Sequence, residues 1–226
     1  MPSGPAIVEA PVAGIWRVAR GDDPLAVPIA SDGAGTGGAN RFDALTMDYG
    51  VLYFGTTLEA CFAETLARLR PSLEMLALVE DEWAELGFME VGRVPSDWRT
   101  RRSAVHVRLT SGTKFLDVDA PETHQYLRSE LALGLSALGL KDLDVSTVRG
   151  PDRRVTQMIS EWAYLNGDRF GDIAGIRYES RIGSEWECWA LFHDIAVELA
   201  VVGTLPIEAD MPELLAIAKL FGLRVF

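Results

Sequence analysis

The sequence predicts a single α+β domain with central mixed or antiparallel sheets flanked by helices. Three observations carry this. The chain has 226 residues, 48% hydrophobic and 24% charged, which suits one domain with a substantial core. Short apolar runs of strand length recur along it. Helical spacings lie between those runs without a regular βα alternation, which disfavours a parallel α/β sheet.

In chain order, residues 1–14 look like an arm with little structure of its own, and residues 15–226 form the domain. Ile15–Ala19 is a short strand with Arg17 on the face opposite Trp16 and Val18. Residues 21–40 form a long loop ending in the glycine-rich run at 33–38, which is no dinucleotide fingerprint because no βαβ unit surrounds it. Val51–Phe54 is a strand, and a helix follows from Thr56/Thr57 to about residue 70. Residues 76–79 read as a strand or a helical continuation, and 81–102 carry no clear pattern. Residues 104–109 alternate like a strand, with 114–118 as the hairpin partner across Thr110-Ser111-Gly112. Pro121 opens a helix to about Leu138, with Leu127, Leu131, Leu135 and Leu138 on one face. A helix over 152–165 buries Val155, Ile159, Trp162 and Ala163. Strands at 173–178, 187–192 and 197–202 follow. A helix over 211–221, with Leu214, Leu215, Ala218 and Phe221 as its stripe, closes the core.

Charge and composition exclude several classes. A formal net charge of −12 argues against a general nucleic-acid binder, though a local arginine pocket can still hold a small anion. Lys114, Lys141 and Lys219 are the only lysines, so the positive charge is nearly all arginine, the side chain suited to bidentate phosphate recognition. Cys61 and Cys188 lie in apolar contexts and read as buried thiols. His106, His124 and His193 have no ligand spacing, so no metal is expected. His193-Asp194 reads as a turn, not a catalytic dyad. There is no GxSxG elbow and no P-loop. With no secretory signal and no apolar stretch of transmembrane length, a cytoplasmic location without membrane contact is expected.

The stretch from Gly37 to Glu64 is the centre of the reading. Arg41 in its loop, Tyr53 on the strand and Glu64 on the helix can converge on one cleft. Thr56 or Thr57 caps the helix, and apolar groups at 58, 61, 62, 65 (the Thr methyl), 66 and 69 make its buried stripe. Glu64 lies off that stripe among Ala60, Ala63 and Ala67. On this helix alone, the simpler reading is an exposed Glu64 paired with Arg68 at i,i+4. The basic cluster Arg99, Arg101, Arg102 and Arg108 reads as a solvated edge.

Four segments together resemble the RES domain: IWRV at 15–18, GGANRFD at 37–43, GVLYFGTTLEACFAE at 50–64 and GIRYESRIGSEWECWALF at 175–192. RES proteins are bacterial and usually the toxin half of a toxin–antitoxin pair. Their fold is similar to that of ADP-ribosyltransferases, and members degrade NAD at its nicotinamide–ribose bond. The resemblance implies an NAD glycohydrolase or phosphorylase, with NAD as substrate and no further cofactor. It also implies a helix-turn-helix antitoxin as partner and leaves room for a homo-oligomer. Carried over residue by residue, Glu64 and Arg17 take catalytic roles, while Arg17, Arg41, Tyr53 and Ser180 bind NAD. Where GGRWN is a frequent form of the second motif, this chain has GGANRFD, and Arg41 is aligned with that arginine. The segment holding Arg154, Thr156 and Gln157 resembles another that lines the pocket. The alternatives are an ADP-ribosyltransferase acting on a protein acceptor, or an inactive RES-like module that binds a partner. Taken singly, Arg17 reads equally as an edge-strand arginine, Tyr53 as a core residue and Ser180 as a turn former.

Overall fold

Strands buried on both faces need apolar side chains at successive positions, and the runs VLYF and ECWALF meet that condition. They pair side by side at the middle of an eight-stranded sheet. The computed structural model describes residues 4–21, 23–27, 40–45, 49–78 and 92–226. The strands are β1 (Ile7–Glu9), β2 (Ile15–Arg20), β3 (Val51–Gly55), β5 (Arg102–Leu109), β6 (Lys114–Asp117), β7 (Ile173–Glu179), β8 (Glu187–Phe192) and β9 (Leu199–Pro206), in the spatial order β1-β6-β7-β8-β3-β2-β5-β9. Within this sheet, among the described residues, only β6 and β7 run parallel. A second sheet pairs β4 (Arg93–Val94) with β10 (Arg224–Val225). The helices are α1 (Leu58–Leu66), α2 (Leu73–Leu78), α3 (Ser96–Thr100), α4 (Pro121–Glu130), α5 (Ala132–Ala137), α6 (Val145–Val148), α7 (Arg153–Asn166) and α8 (Pro212–Leu220). The α+β class with a mixed sheet flanked by helices therefore holds.

The two faces of the sheet differ. One carries Leu116, Ile176, Ala190 and Phe192 and packs against Phe62 and Leu66 of α1, Ile159 of α7 and Leu214 of α8. The other carries Ile15, Leu52, Phe54, Val105, Phe115 and Trp189 and is covered by loop residues such as Leu25, Val27 and Val197. The sheet is also divided along its length. β2 matches β5 over six residue pairs and β3 matches β8 over five, but β2 and β3 meet only at Trp16↔Gly55. Beyond that pair the two half-sheets diverge. α1 closes the junction: Gly55 lets it approach, because a Cβ there would lie 2.8 Å from the Ala60 Cβ, and the Cys61 thiol donates to the Trp16 carbonyl at 3.0 Å.

Several expectations are corrected. The hairpin between 104–109 and 114–118 does not form. Thr113 N–H does turn back to the Thr110 carbonyl at 3.2 Å. However, β5 is flanked by β2 and β9, while β6 crosses to lie between β1 and β7. Phe115 and Leu116 are both fully buried, and successive strand residues face opposite sides, so β6 needs an interior position. The arm expected at 1–14 contributes β1, which pairs with β6, and the Ala6 N–H is taken by the Thr123 hydroxyl at 3.0 Å. The helix expected over 121–138 breaks at Leu131, whose φ of −103° and ψ of 11° interrupt the helical path. The strand expected at 197–202 is β9, two residues later and longer. Leu215 is 44% exposed, and Ile217 takes its place in the α8 stripe. Residues 76–78 are helical, whereas the glycine-rich run at 33–38 and residues 81–91 lie outside the described residues. Among the described residues, no helix is long and apolar enough to cross a membrane.

Candidate active site

The divergence of β2 from β3 opens a cleft of about 990 Å³, walled by both half-sheets, α1 and the loop at 40–45. Arg17, Arg41, Tyr53 and Glu64 all line it. In total it is lined by eight arginines against two acids, Asp23 and Glu64, in a chain of net charge −12. The local sign is therefore opposite to the global one.

Arg17 is 7% exposed and has no carboxylate partner among the described residues. Its Nε donates to the Pro24 carbonyl at 2.8 Å, and its Nη1 reaches across the split to the Tyr53 carbonyl at 3.0 Å. Burial lowers its pKa, partly countered by Cys61 and Tyr53, but a guanidinium stays charged near neutrality. Arg41 lies over the rings of Phe42 and Tyr178, its Nη2 donates to the Val148 carbonyl at 3.0 Å, and its buried Nε has no partner among the described residues. Burial lowers its pKa as well.

The loop around Arg41 is tied at each residue. The Tyr53 hydroxyl accepts from Phe42 N–H at 3.0 Å and donates to Asp43 Oδ1 at 2.7 Å. Ser160 Oγ of α7 donates to the Phe42 carbonyl at 2.7 Å, and Gln157 Nε2 donates to that of Asn40 at 3.2 Å. The Tyr53 hydroxyl is thus engaged within the protein, and its side chain forms part of the cleft wall. Tyr53→Phe leaves Phe42 N–H and a carboxylate oxygen without this partner, which costs about 1–3 kcal/mol. A fall in Tm of roughly 2–12 °C is expected by calorimetry for a chain of this size.

Thr57 caps α1, accepting from Ala60 N–H at 3.2 Å, and Glu64 lies on the exposed side of that helix. The i,i+4 pair with Arg68 does not form. Instead, Glu64 Oε1 accepts from Ser180 Oγ at 2.6 Å. Ser180 is 1% exposed and also accepts from Ile182 N–H at 3.1 Å, so its hydroxyl is fixed in direction. The resemblance alone brought these two residues together, since they lie 116 positions apart.

Sequence reasoning missed much of the basic wall. Arg20, Arg68, Arg70, Arg102, Arg153 and Arg181 also line the cleft. Arg102 departs from the solvated-edge reading: it is 9% exposed, lies over the Trp98 ring and donates to the Trp98 carbonyl at 2.8 Å. In the 153–157 segment it is Arg153 that lines the cleft. Arg154 is exposed and paired with Asp152, while Thr156 and Gln157 are buried. The histidines form no ligand cluster, and among the described residues no group of acids, cysteines and histidines is placed to hold a metal. Both cysteines are free and buried.

Burial pushes the Cys61 thiol and the Tyr49 hydroxyl up to about 12, and raises Tyr53, Tyr178 and Cys188 as well. The neutral forms are favoured in the fold, so between about pH 9 and 12 these groups hold fewer protons in the unfolded chain than in the native one. Stability is therefore complete below the unfolded values and falls as pH rises through that window. Urea midpoints at pH 7, 9 and 10.5 should decline in that order.

Fold and site together define an α+β protein with an arginine-lined cleft around one oriented carboxylate. The chain belongs to the RES domain family, whose model matches residues 15–210. Among solved structures, it is similar to a chain of the crystal structure of the M. tuberculosis MbcT–MbcA toxin–antitoxin complex. The TM-score is 0.51 at 11% identity, and the match covers 97% of this chain and 92% of that one. No curated protein matches it.

Proposed function

We propose that the protein cleaves the nicotinamide–ribose bond of NAD, and that it acts as the toxin of a toxin–antitoxin pair. The observation carrying the first part is the Glu64 carboxylate, oriented by Ser180, in a cleft that also holds Arg17 and Arg41. Nicotinamide in NAD is a cationic leaving group and departs with the electron pair of the C–N bond, so no strong general acid is needed. The ribose carbon left behind has oxocarbenium character, as in glycoside cleavage. With Oε1 held by Ser180, Glu64 has its other oxygen for a ribose hydroxyl and places negative charge beside the forming cation. Arg17 and Arg41 hold the pyrophosphate by charge-assisted bonds, and Tyr53 lines the nicotinamide side. Water then adds to the ribose carbon and releases a proton to solvent. Phosphate in its place gives the 1″-phosphate.

Membership of the RES family and the likeness to a toxin–antitoxin complex support the toxin role, with an antitoxin protein as partner. The test is NAD loss by the purified protein, with and without phosphate, and product identification by mass. Nicotinamide with ADP-ribose means hydrolysis, and nicotinamide with ADP-ribose 1″-phosphate means phosphorolysis. Release only in the presence of a protein acceptor means transfer. No turnover by folded protein free of any partner would overturn the proposal in favour of a binding module.

A further inference from the structure

We infer that Arg20, Arg68 and Arg102 form a second anion subsite, separate from Arg17 and Arg41, that takes a phosphate dianion. Arg20 and Arg102 face each other as direct partners in the β2–β5 pairing. Like charges directly opposite in an antiparallel pair are destabilising, and among the described residues neither is ion-paired with a carboxylate. Arg102 is nearly buried, held by the Trp98 carbonyl and ring. The side chains of Arg20 and Arg68 make no hydrogen bond or ion pair among the described residues. The charges of both bear on Arg102, with Asp97 the acid nearby; that acid is 63% exposed and reaches Arg101 at 3.9 Å.

Where this chain ion-pairs its arginines, at Arg101, Arg128, Arg149, Arg154, Arg169 and Arg177, an Asp or Glu stands within 4 Å. Among the described residues, Arg20, Arg68 and Arg102 have no such partner. Arg20 and Arg102 also line a second hollow of about 690 Å³, together with Thr100, Arg101, Ser103 and Thr204. Guanidinium groups match phosphate oxygens through their paired N–H donors. A pyrophosphate held by Arg17 and Arg41 would leave this second group unused. A further phosphate comes from one of two sources: a phosphomonoester on the adenosine ribose of the dinucleotide, or free inorganic phosphate serving as acceptor.

The subsite deepens the NAD reading but can be tested apart from it by calorimetric binding to Glu64→Gln protein, in which turnover is suppressed. The probes are NAD, NADP and inorganic phosphate. Arg20→Gln and Arg68→Gln are the test substitutions, chosen because both side chains are exposed. If the source is the ribose phosphate, NADP binds at least tenfold tighter than NAD, and either substitution erases the difference while leaving NAD affinity unchanged. If the source is free phosphate, phosphate binds with and without NAD, and either substitution weakens it at least tenfold. Phosphate binding that depends on Arg20 in protein that ignores NAD would keep the subsite and remove the NAD reading. Equal affinities of all three probes for parent and substituted proteins would overturn the subsite.

Discussion

Glutamine in place of Glu64 should give a folded protein whose NAD turnover is reduced by roughly 10²–10³-fold, the usual cost of removing one electrostatic stabiliser of a transition state. The glutamine oxygen still accepts from Ser180 Oγ, so the contact at 2.6 Å has a replacement and the melting temperature should move little. The charge matters mainly once the ribose becomes cationic, so kcat falls while KM stays close to its parent value. Ser180→Ala should act more weakly in the same direction, because it leaves the charge but frees its orientation. Initial rates of nicotinamide release, with a thermal melt beside them, check both. Full turnover by Glu64→Gln protein would remove Glu64 from the mechanism.

The largest effect on stability is expected at Gly175. It sits on β7 opposite Leu191 of β8, and a Cβ there would lie 2.1 Å from the Ala190 carbonyl oxygen and 2.9 Å from Phe115 Cε1. The first of these atoms belongs to a paired strand and cannot swing aside. Relief would require β7 and β8 to separate beside the register shift that β6 and β7 already carry at Lys114/Phe115. Gly175→Val should therefore cost about 3 kcal/mol or more, read as a lower urea midpoint or loss of soluble protein. A substituted protein as stable as the parent would mean that the strands yield more easily than the backbone contact implies.

Local chemistry explains which parts of this architecture could be read from the sequence. The Thr57 cap, the buried stripe of α1 and the apolar runs of β3 and β8 are determined by neighbouring residues, and they stand as expected. Strand partners are not local. A turn at Thr110–Thr113 with strand patterns on either side signals a hairpin, yet the double-sided burial of Phe115 and Leu116 sends β6 elsewhere. At the site, Arg17, Arg41, Tyr53 and Glu64 share one cleft, a convergence that the motif resemblance anticipated. Their hydrogen bonds were not legible. The helix surface favoured Arg68 as the partner of Glu64, and only the fold brings Ser180 within reach. Arg20 and Arg102 lie 82 positions apart in the numbering, and only the strand register sets them face to face.

The tethers that shape the cleft have a consequence for how the protein is made. Glu64 waits for Ser180 across 116 residues, Arg41 for Val148 across 107, and Phe42 for Ser160 across 118. At roughly 5–20 residues per second, the ribosome needs about 6–23 s to pass from Glu64 to Ser180. Until then the carboxylate lacks its hydroxyl partner, and β3 lacks β8. A nascent chain is therefore incompetent for most of its synthesis, and competence should arrive as one late event once β8 has left the exit tunnel. A partner that recognises the completed cleft has nothing to bind before that moment.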